Sequence, residues 1–240
     1  MYTHKDGITF RKLHKGDLHS LLALKQESWW GTHATMIINI EDQQKWYENI
    51  PADEIYMIAE IDAEAAAKSK KGFMGSEVKR QGVVPVGICC LTQIDWIGHS
   101  CNISGSIYKD KRKDMNGIVK PAFSGGLDFA FEVLNMQRVG AEVLETHAAA
   151  QILEIGHLGF KIEGRRRRAV YKAGRYYDSV QLGILREEWV TSPRVAAYEG
   201  CCNENFDHVM ADKFIKRFNR DMQGALASGW PLPVDETSHQ

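Results

Sequence analysis

The stretch that decides the fold is residues 106–160, which read SIYKDKRKDMNGIVKPAFSGGLDFAFEVLNMQRVGAEVLETHAAAQILEIGHLGF. After a charged turn, apolar residues recur at steps of four, three, one and three, which is the pattern of one helical face (Phe123, Leu127, Ala130, Phe131 and Leu134). Residues 138–143 then alternate, which is typical of a strand. The stretch therefore predicts a strand, a turn, a long helix, a second strand and a second helix, in that order.

The turn before the long helix is a candidate anion site. The first N–H groups of a helix have no partner within the helix, and the helix dipole adds partial positive charge there. We expect the backbone groups of Asn116 to Val119 to hold a pyrophosphate or a phosphopantetheine. A strand, a turn and a helix occur in doubly wound folds of every kind, so this pattern alone does not identify the ligand.

Length and composition bound the class of protein. At 240 residues the chain has room for one large domain with extensions or for two small domains. Its net charge of −1 excludes a general attraction to nucleic acid, so any basic patch is local. No apolar run approaches the length of a membrane span, and the polar N-terminus has no signal-peptide core. We therefore expect a cytoplasmic protein without a membrane segment.

The cysteines indicate neither disulfides nor a metal site. Their odd number, with two adjacent pairs, fits neither a disulfide framework nor a C-x-x-C metal pattern (Cys89, Cys90, Cys101, Cys201 and Cys202). We expect reduced, buried thiols and no bound metal.

The N-terminal quarter of the chain predicts a strand, two helices and a further strand. Residues 8–13 alternate as in a strand, and Asp17 is placed to cap a helix over residues 17–26. A second helix, residues 41–50, is stopped by a proline, and residues 55–61 form the next strand. The loop between the helices contains Trp29 and Trp30; we expect one to pack inside, and the other is a candidate for lining a substrate pocket.

The remaining segments complete one mixed α/β domain. Residues 63–83 have no stable period and predict a mobile insertion loop. Residues 84–93 are nearly all apolar and predict a central strand, with residues 102–108 as its antiparallel neighbour. Residues 161–171 and 176–185 flank a KAGR turn and predict a hairpin. The domain should end near residue 189.

An ordered set of motifs resembles the GNAT acetyltransferase superfamily. The motifs are IDW at 94–96, SIY at 106–108, LDFAFE at 127–132, LGFKIEG at 158–164, YYDS at 176–179 and ILREEW at 184–189. They are similar to the branch that contains ribosomal-protein N-terminal and amino-sugar N-acetyltransferases, over residues 8–189. The resemblance implies the GNAT fold for residues 1–189, an α/β fold with a mixed central sheet flanked by helices. It also implies acetyl-CoA as donor, a primary amine as acceptor and direct transfer without an acyl-enzyme.

The resemblance also implies which residues contact CoA. These residues lie at the end of the predicted strand 102–108, at the start of the long helix and at the start of the second helix. They are Ile107, Tyr108, Arg112, Lys113, Asn116, Gly117, Ile118, Val119 and His147. The family's pyrophosphate loop, Arg/Gln-x-x-Gly-x-Gly/Ala, is represented here by Asp114, Gly117 and Val119, so only the central glycine is retained. Asp114 puts a carboxylate near the expected phosphate. The side chain of Val119 is expected to narrow the space through which the backbone approaches the phosphate. The basic residues 111–113 offset the carboxylate. Where many members have a tyrosine as general acid, this chain has Ile155.

Two residues are candidates for proton transfer. Asp95, at the end of the central strand, is the nearest carboxylate for a general base, with a turn-capping role as the alternative. Tyr177 is a candidate to position the acceptor or to protonate sulfur, with packing on the core as the alternative. Tyr176, together with the two tryptophans, is expected to contact the acceptor. A backbone N–H at the point where two parallel strands separate should polarise the thioester, and the sequence does not locate it.

Two basic features lie outside these motifs. Residues 165–168 are four arginines, which on a strand alternate between faces; they are candidates for an acidic substrate or the ribose phosphate of CoA, with a solvated strand edge as the alternative. Residues 190–240 form a C-terminal extension with one amphipathic helix, residues 206–222, and a loose tail. We expect its apolar stripe to dock on the domain or on a second subunit, as in a homodimer. Recognition of nucleic acid is the alternative.

The sequence thus predicts an N-acetyltransferase that acts on a small or terminal primary amine. Three alternatives stay open: a non-catalytic GNAT module that binds a partner, a transferase with another activated donor, and an enzyme that modifies a nucleobase amine.

Overall fold

The computed structural model describes residues 2–3, 7–28, 31, 33, 39–62, 82–108 and 115–191. Within them, strands form a mixed sheet in the order β1-β2-β3-β4-β5-β6-β8-β7. Neighbouring strands are antiparallel, except that β5 and β6 run parallel. The strands are β1 (Tyr2–Thr3), β2 (Thr9–Lys12), β3 (Ile55–Asp62), β4 (Val83–Asp95), β5 (Ser100–Ile107), β6 (Arg138–Leu144), β7 (Lys161–Lys172) and β8 (Arg175–Leu185).

Helices cover both faces of the sheet. They are α1 (Leu18–Glu27), α2 (Ile40–Glu48), α3 (Lys120–Asp128), α4 (Ala148–Gln151) and α5 (Arg186–Thr191). A 3₁₀ turn (Lys15–Asp17) precedes α1, and π-helical turns precede α3 (Met115–Val119), follow it (Phe129–Val133) and follow α4 (Ile152–Leu158). The last of these turns ends at Gly159, whose φ of 86° is the left-handed conformation that glycine adopts without a steric cost.

The main hydrophobic core lies between one face of the sheet and α3. The apolar stripe predicted for this helix is in that core, with Leu127, Ala130 and Phe131 fully buried. Gly126 lets the helix approach the sheet closely, because a Cβ at this position would overlap Sγ of Cys89 and lie 3.0 Å from Cδ1 of Ile103. The packing of α3 therefore fixes its position over β4 and β5.

A second core lies on the opposite face, beneath α1 and α2. Leu21 and Leu24 of α1 are buried there against Ile88. Trp46 of α2 packs edge-to-face on Tyr56, with ring centroids 4.7 Å apart. Because both faces of β4 are buried, the prediction of a central, doubly covered strand is confirmed.

A buried ion triad ties β2, β3 and the start of α1 together. Nε of Arg11 donates to Glu60 at 2.6 Å, and its two terminal nitrogens donate to Asp17 at 2.7 and 2.8 Å. Burial opposes the charge of Arg11, but the hydrogen bonds from both carboxylates raise its pKa above the usual value. Asp17 therefore does not cap α1 through its side chain as predicted, because its carboxylate is committed to Arg11 and to the N–H of His14.

The α/β fold and the order of elements agree with the sequence-based prediction. The hairpin turn is confirmed, with Ala173 at φ 47° and Gly174 at φ 80°. Two elements differ from it. The short strand β1 was not predicted, and the long helical segment begins at Met115, because residues 118 and 119 already contribute to the core. The predicted loop up to residue 81 and the extension beyond residue 191 lie outside the described residues.

The described cysteines are free and buried, as predicted (Cys89, Cys90 and Cys101). Burial raises their pKa values above the ordinary thiol range. Among the described residues, no helix has the length and apolar character needed to cross a membrane, and no group of three or more His, Cys, Asp or Glu could hold a metal ion.

Candidate active site

The parallel strands β5 and β6 separate part-way along their length. Their pairing begins at Ser100↔Arg138 and ends at Asn102↔Gly140, although each strand continues for at least four more residues. Over that stretch β5 stays paired with β4, and β6 stays paired with β8. The sheet is therefore open between β5 and β6 beyond Asn102 and Gly140, and we call this opening the wedge.

Gly105 of β5 points a backbone N–H toward the wedge. The N–H of Tyr108 donates to the carbonyl of Val86 on β4 at 2.9 Å, so the alternation along the strand turns the N–H of Gly105 away from β4. A Cβ on residue 105 would lie 2.5 Å from the carbonyl oxygen of Ile88 and 3.1 Å from the ring of Phe123. The close packing therefore requires glycine, and it holds the N–H of this residue in a fixed direction.

A polar network surrounds Glu142 of β6 and extends toward β8 and β7, the strands on the other side of β6 from the wedge. Its carboxylate accepts hydrogen bonds from Oγ of Ser179 on β8 and, at 3.0 and 3.1 Å, from Nη1 of Arg166 on β7. Ser179 is fully buried, whereas the Glu142 side chain keeps 29% of its surface exposed. The network thus fixes a partly accessible carboxylate on the strand that borders the wedge.

His33, from the segment between α1 and α2, approaches this carboxylate. Its Nε2 lies 3.8 Å from Oε1 of Glu142. Burial lowers the pKa of His33; Glu142 opposes this effect, and the positive charges of Lys172 and Arg166 add to it. The imidazole is therefore neutral near pH 7 and can accept a proton.

Gly31 brings the same segment against the start of α4. A Cβ on Gly31 would overlap the imidazole ring of His147. Nδ1 of His147 accepts the N–H of Ala150 at 2.9 Å, and the N–H of His147 donates to the carbonyl of Leu144 at the end of β6. His147, predicted to contact CoA, thus caps α4 and links the helix, β6 and the α1–α2 segment at the mouth of the wedge.

The predicted anion site, residues 116–119, forms the first helical turn before α3 and not a separate loop. Gly117 is exposed, whereas the side chains of Ile118 and Val119 are buried in the main core. Only the backbone of Ile118 and Val119 can therefore contact a ligand. The prediction that Val119 narrows the space between the backbone and the phosphate is wrong, because the side chain of Val119 points into the core.

Asp95 lies at the other end of the β4–β5 hairpin from the wedge. It pairs with Ser100, where β5 begins, whereas the wedge opens toward the end of β5. Its carboxylate accepts the N–H groups of Ile97 and Gly98 at 2.9 and 2.8 Å, and these hydrogen bonds lower its pKa. The structure therefore gives Asp95 the turn-capping role and does not bring it together with the other site residues.

The two adjacent tyrosines of β8 have different surroundings. Tyr177 is half-buried and lies just beyond Asp178, whose carbonyl accepts the N–H of Glu145 after the end of β6. Tyr176 is exposed, with its ring 5.0 Å from that of Tyr171. Tyr177 is thus beside the end of β6, and Tyr176 belongs to the outer part of the hairpin.

The remaining predicted contacts are divided between the two cores. Ile107 is buried in the main core. Tyr108 packs on the α1 side, where burial raises its pKa to about 12. Trp29, Trp30, Arg112 and Lys113 lie outside the described residues, and of Asn116 only the backbone is described.

Sequence reasoning did not find Glu142 and His33. Glu142 is the acidic position in an otherwise alternating strand, a pattern that also describes a solvated face. His33 reaches it from a segment more than one hundred residues away in sequence. The available signal was that residues 140 and 142 share the polar face of the strand that follows the long helix.

A comparison with protein-family models matches residues 8–161 to the acetyltransferase (GNAT) domain. The chain belongs to this family. It is therefore a GNAT-type acetyltransferase, with acetyl-CoA as its acyl donor. A search of curated protein sequences gave no match.

Solved structures with the same fold include spermidine N-acetyltransferases from Vibrio cholerae. One is an enzyme in complex with CoA and spermine, with 18% sequence identity and a TM-score of 0.62. The match covers 78% of this GNAT chain and 100% of that enzyme's chain. Another is a dodecamer in an intermediate state, with 18% sequence identity and a TM-score of 0.58. That match covers 78% of this chain and 98% of the chain of the dodecamer. A chimera of the Vibrio cholerae enzyme and hSSAT has 19% sequence identity and a TM-score of 0.61. That match covers 77% of this chain and 99% of the chain of the chimera. At this identity the likeness concerns the fold alone.

The residues of the wedge fit an extended thioester donor. Gly105 offers a rigid N–H in a position where no side chain fits, and the exposed Gly117 leaves the first helical turn before α3 accessible. The split between β5 and β6 provides strand edges on which an amide-containing chain can lie.

Proposed function

We propose that this GNAT acetyltransferase transfers an acetyl group directly from acetyl-CoA to a primary amine that binds beside the wedge. The observation that carries the proposal is the His33–Glu142 pair, because Glu142 belongs to β6, one of the two strands that border the opening. A proton acceptor for the amine and a polarising N–H for the thioester carbonyl are the two groups that amide formation from a thioester requires.

Gly105 and the turn at residues 115–119 are the proposed donor contacts. Acetyl-CoA, when bound, supplies the acetyl group as a thioester. The N–H of Gly105 would donate to the thioester oxygen, and the backbone of residues 116–119 would face the pyrophosphate. His147 would act by holding the start of α4 in place, since its Nδ1 already caps that helix.

His33 is the proposed proton acceptor for the amine. Glu142 attracts the ammonium group of the acceptor, and the neutral His33 takes one proton so that the nitrogen lone pair is free. A C–N bond then forms, the C–S bond breaks to leave a thiolate, and the nitrogen loses its second proton to solvent as the amide forms. Tyr177, half-buried beside the end of β6, is the proposed donor of a proton to that sulfur and regains the proton from solvent.

The acceptor is proposed to be a small or terminal primary amine. The neighbouring structures are named as spermidine N-acetyltransferases, so polyamines belong in the first panel. The sequence motifs are similar to the ribosomal-protein N-terminal and amino-sugar branch, so a peptide N-terminus and an amino sugar belong there as well. Contacts of Trp29, Trp30 and Tyr176 with the acceptor, a homodimer and a cytoplasmic location stay predictions.

The proposal is tested by measuring CoA thiol release with spermidine, an N-terminal peptide amine and an amino sugar, with the product checked by mass. His33→Ala should lower kcat/KM by about 10²-fold or more. His19→Ala, which removes an exposed histidine from α1, is the matched control and should leave kcat/KM unchanged.

Two results would contradict the proposal. Binding of acetyl-CoA without turnover of any amine would favour a non-catalytic module. Failure of acetyl-CoA to bind at millimolar concentration would favour another donor.

A further inference from the structure

The β7–β8 hairpin carries a charge that the rest of the chain does not share. Residues 161–185 contain seven basic and two acidic side chains, whereas the whole chain has a net charge of −1. The basic charge is therefore concentrated on one two-stranded element, at the outer edge of the sheet. Such an asymmetry favours an anionic partner.

Several of these charges are used inside the domain. Arg165 pairs with Glu145 at 2.8 Å and with Asp178 at 2.7 Å. Arg166 pairs with Glu142, and Lys161 pairs with Glu188 of α5. These side chains hold the hairpin to β6 and α5 and are not available to a partner.

Three arginines remain on the outer half of the hairpin, and we call them the arginine patch (Arg167, Arg168 and Arg175). All three are exposed, and none forms an ion pair with any residue in the described ranges. Free guanidinium groups bind phosphate well, because their planar fork donates two hydrogen bonds in parallel.

A β-bulge positions two members of the patch. The register between β7 and β8 shifts between Arg166 and Val170, so that residues 167–169 oppose Asp178 alone. The bulge is held by the N–H of Arg168, which donates to Oδ1 of Asp178 at 2.7 Å, and Arg168 has a φ of 52°. A non-glycine residue in this conformation is costly, and such bulges are typical of places where side chains are redirected.

Two aromatic rings lie on the same half of the hairpin. Tyr171 and Tyr176 are 53% and 61% exposed, with ring centroids 5.0 Å apart and planes tilted by 56°. Charge on an edge strand prevents edge-to-edge aggregation, but this role does not account for an exposed pair of aromatic side chains. The rings offer flat apolar surfaces beside the arginine patch.

We propose that the arginine patch and the Tyr171–Tyr176 pair bind single-stranded nucleic acid, with phosphates on the arginines and bases stacked on the tyrosines. Exposed aromatic rings interleaved with unpaired basic groups are the combination that single-stranded nucleic acid binds. Within the described residues the arginine patch takes no part in the ion pairs of Glu142, and binding is measured without acetyl-CoA, so the inference does not depend on acetyl transfer. Tyr176 is also expected to contact the acceptor, so the two surfaces adjoin at this residue.

The test is binding of the full chain to a fluorescein-labelled oligoadenylate of about fifteen nucleotides. Anisotropy is recorded between about 50 and 200 mM salt, since each phosphate contact in a single strand contributes about 0.7 to the salt slope. The variant R167A/R168A/R175A should lower that slope by about 2 and weaken binding at low salt at least about tenfold. The variant Y171A/Y176A should keep the slope and lose about fivefold or more in affinity.

The matched control is K12A/K15A/K45A, which removes three exposed positive charges near α1 and α2. It should bind the oligoadenylate like the wild type. If the arginine variant unfolds, the single variant Arg175→Ala tests the proposal instead. It should lower the salt slope by about 0.7.

Three results would overturn the proposal. They are failure of the wild type to bind at low salt, an equal loss in the control, and equally tight binding of oligoglutamate, which has charge but no bases.

Discussion

Nε2 of His33 lies 3.8 Å from Oε1 of Glu142, and the same carboxylate is held by Arg166 and by Ser179. The imidazole therefore lies within the fields of one negative group and two positive groups. Burial and the positive groups lower the pKa of His33, while Glu142 raises it. Because the opposing charges belong to different side chains, each can be removed separately.

The pH dependence of acetyl transfer should respond in opposite directions to two substitutions. In the wild type, the acidic limb of kcat/KM should lie below the ordinary histidine pKa of about 6.5. Glu142→Gln removes the group that raises the pKa of His33, so the limb should move to lower pH. Arg166→Gln removes a group that lowers this pKa, so the limb should move to higher pH. Rates over the acid range measure both shifts, and a common direction would exclude His33 as the base.

Donor binding should depend on Gly117. Gly117→Glu adds bulk and negative charge to an exposed position in the first helical turn before α3, where the pyrophosphate is proposed to bind. The dissociation constant for acetyl-CoA, measured by calorimetry, should rise by at least about tenfold. Ala23→Glu makes the same change on the exposed side of α1 and should leave it unchanged. Equal affinities for Gly117→Glu and the wild type would move the donor site elsewhere.

Gly126→Ala should destabilise the protein although alanine is the better helix former. In an open helix position this change stabilises by about 0.5 to 1 kcal/mol. Here the new Cβ overlaps Sγ of the buried Cys89, and overpacking of this kind costs about 1 to 3 kcal/mol.

The variant Cys89→Ala supplies the control for this overlap. Combined with Gly126→Ala, it should cost less than the sum of the two single changes by more than about 0.5 kcal/mol in urea unfolding. Strict additivity would show that the two residues do not interact.

Replacement of Arg11, the centre of the buried ion triad, should lower the unfolding free energy strongly. Arg11→Met leaves Asp17 and Glu60 as two buried carboxylates without their partner, which should cost about 3 to 5 kcal/mol of unfolding free energy. Lys12→Met changes the next residue, whose side chain is exposed, and should stay within about 0.5 kcal/mol of the wild type. A loss below 1 kcal/mol for Arg11→Met would mean that water or a rearranged side chain replaces the guanidinium.

Local periodicity predicted the fold because the core of this domain is built from regular elements. The apolar stripe of α3 and the alternation of β6 follow directly from the burial of one face. The site was harder to predict, since Glu142 and His33 meet only through tertiary structure. Asp95 shows the same limit: the end of β4 is predictable, but the direction in which the wedge opens is set by the pairing of β5 with β6.

Glu154 should make the stability of the protein fall as pH rises. This carboxyl lies in the π-helical turn after α4, is 7% exposed, and has its Oε2 atom buried without a hydrogen-bond partner among the described residues. Burial raises its pKa to about 8, so the folded protein keeps the proton over a range in which the unfolded chain has lost it.

The sign follows from proton linkage. Between about pH 4.5, the ordinary value, and pH 8, the folded state binds one proton more than the unfolded state, so stability decreases by about 1.4 kcal/mol per pH unit. The decrease ends above pH 8, where both states are ionised. Glu154→Gln keeps the shape of the side chain without the titration. It should match the wild type near pH 5 and exceed it near pH 8 by at most about 5 kcal/mol, as measured by urea unfolding at both pH values. A constant difference between the two proteins across this range would show that Glu154 is ionised in the folded state.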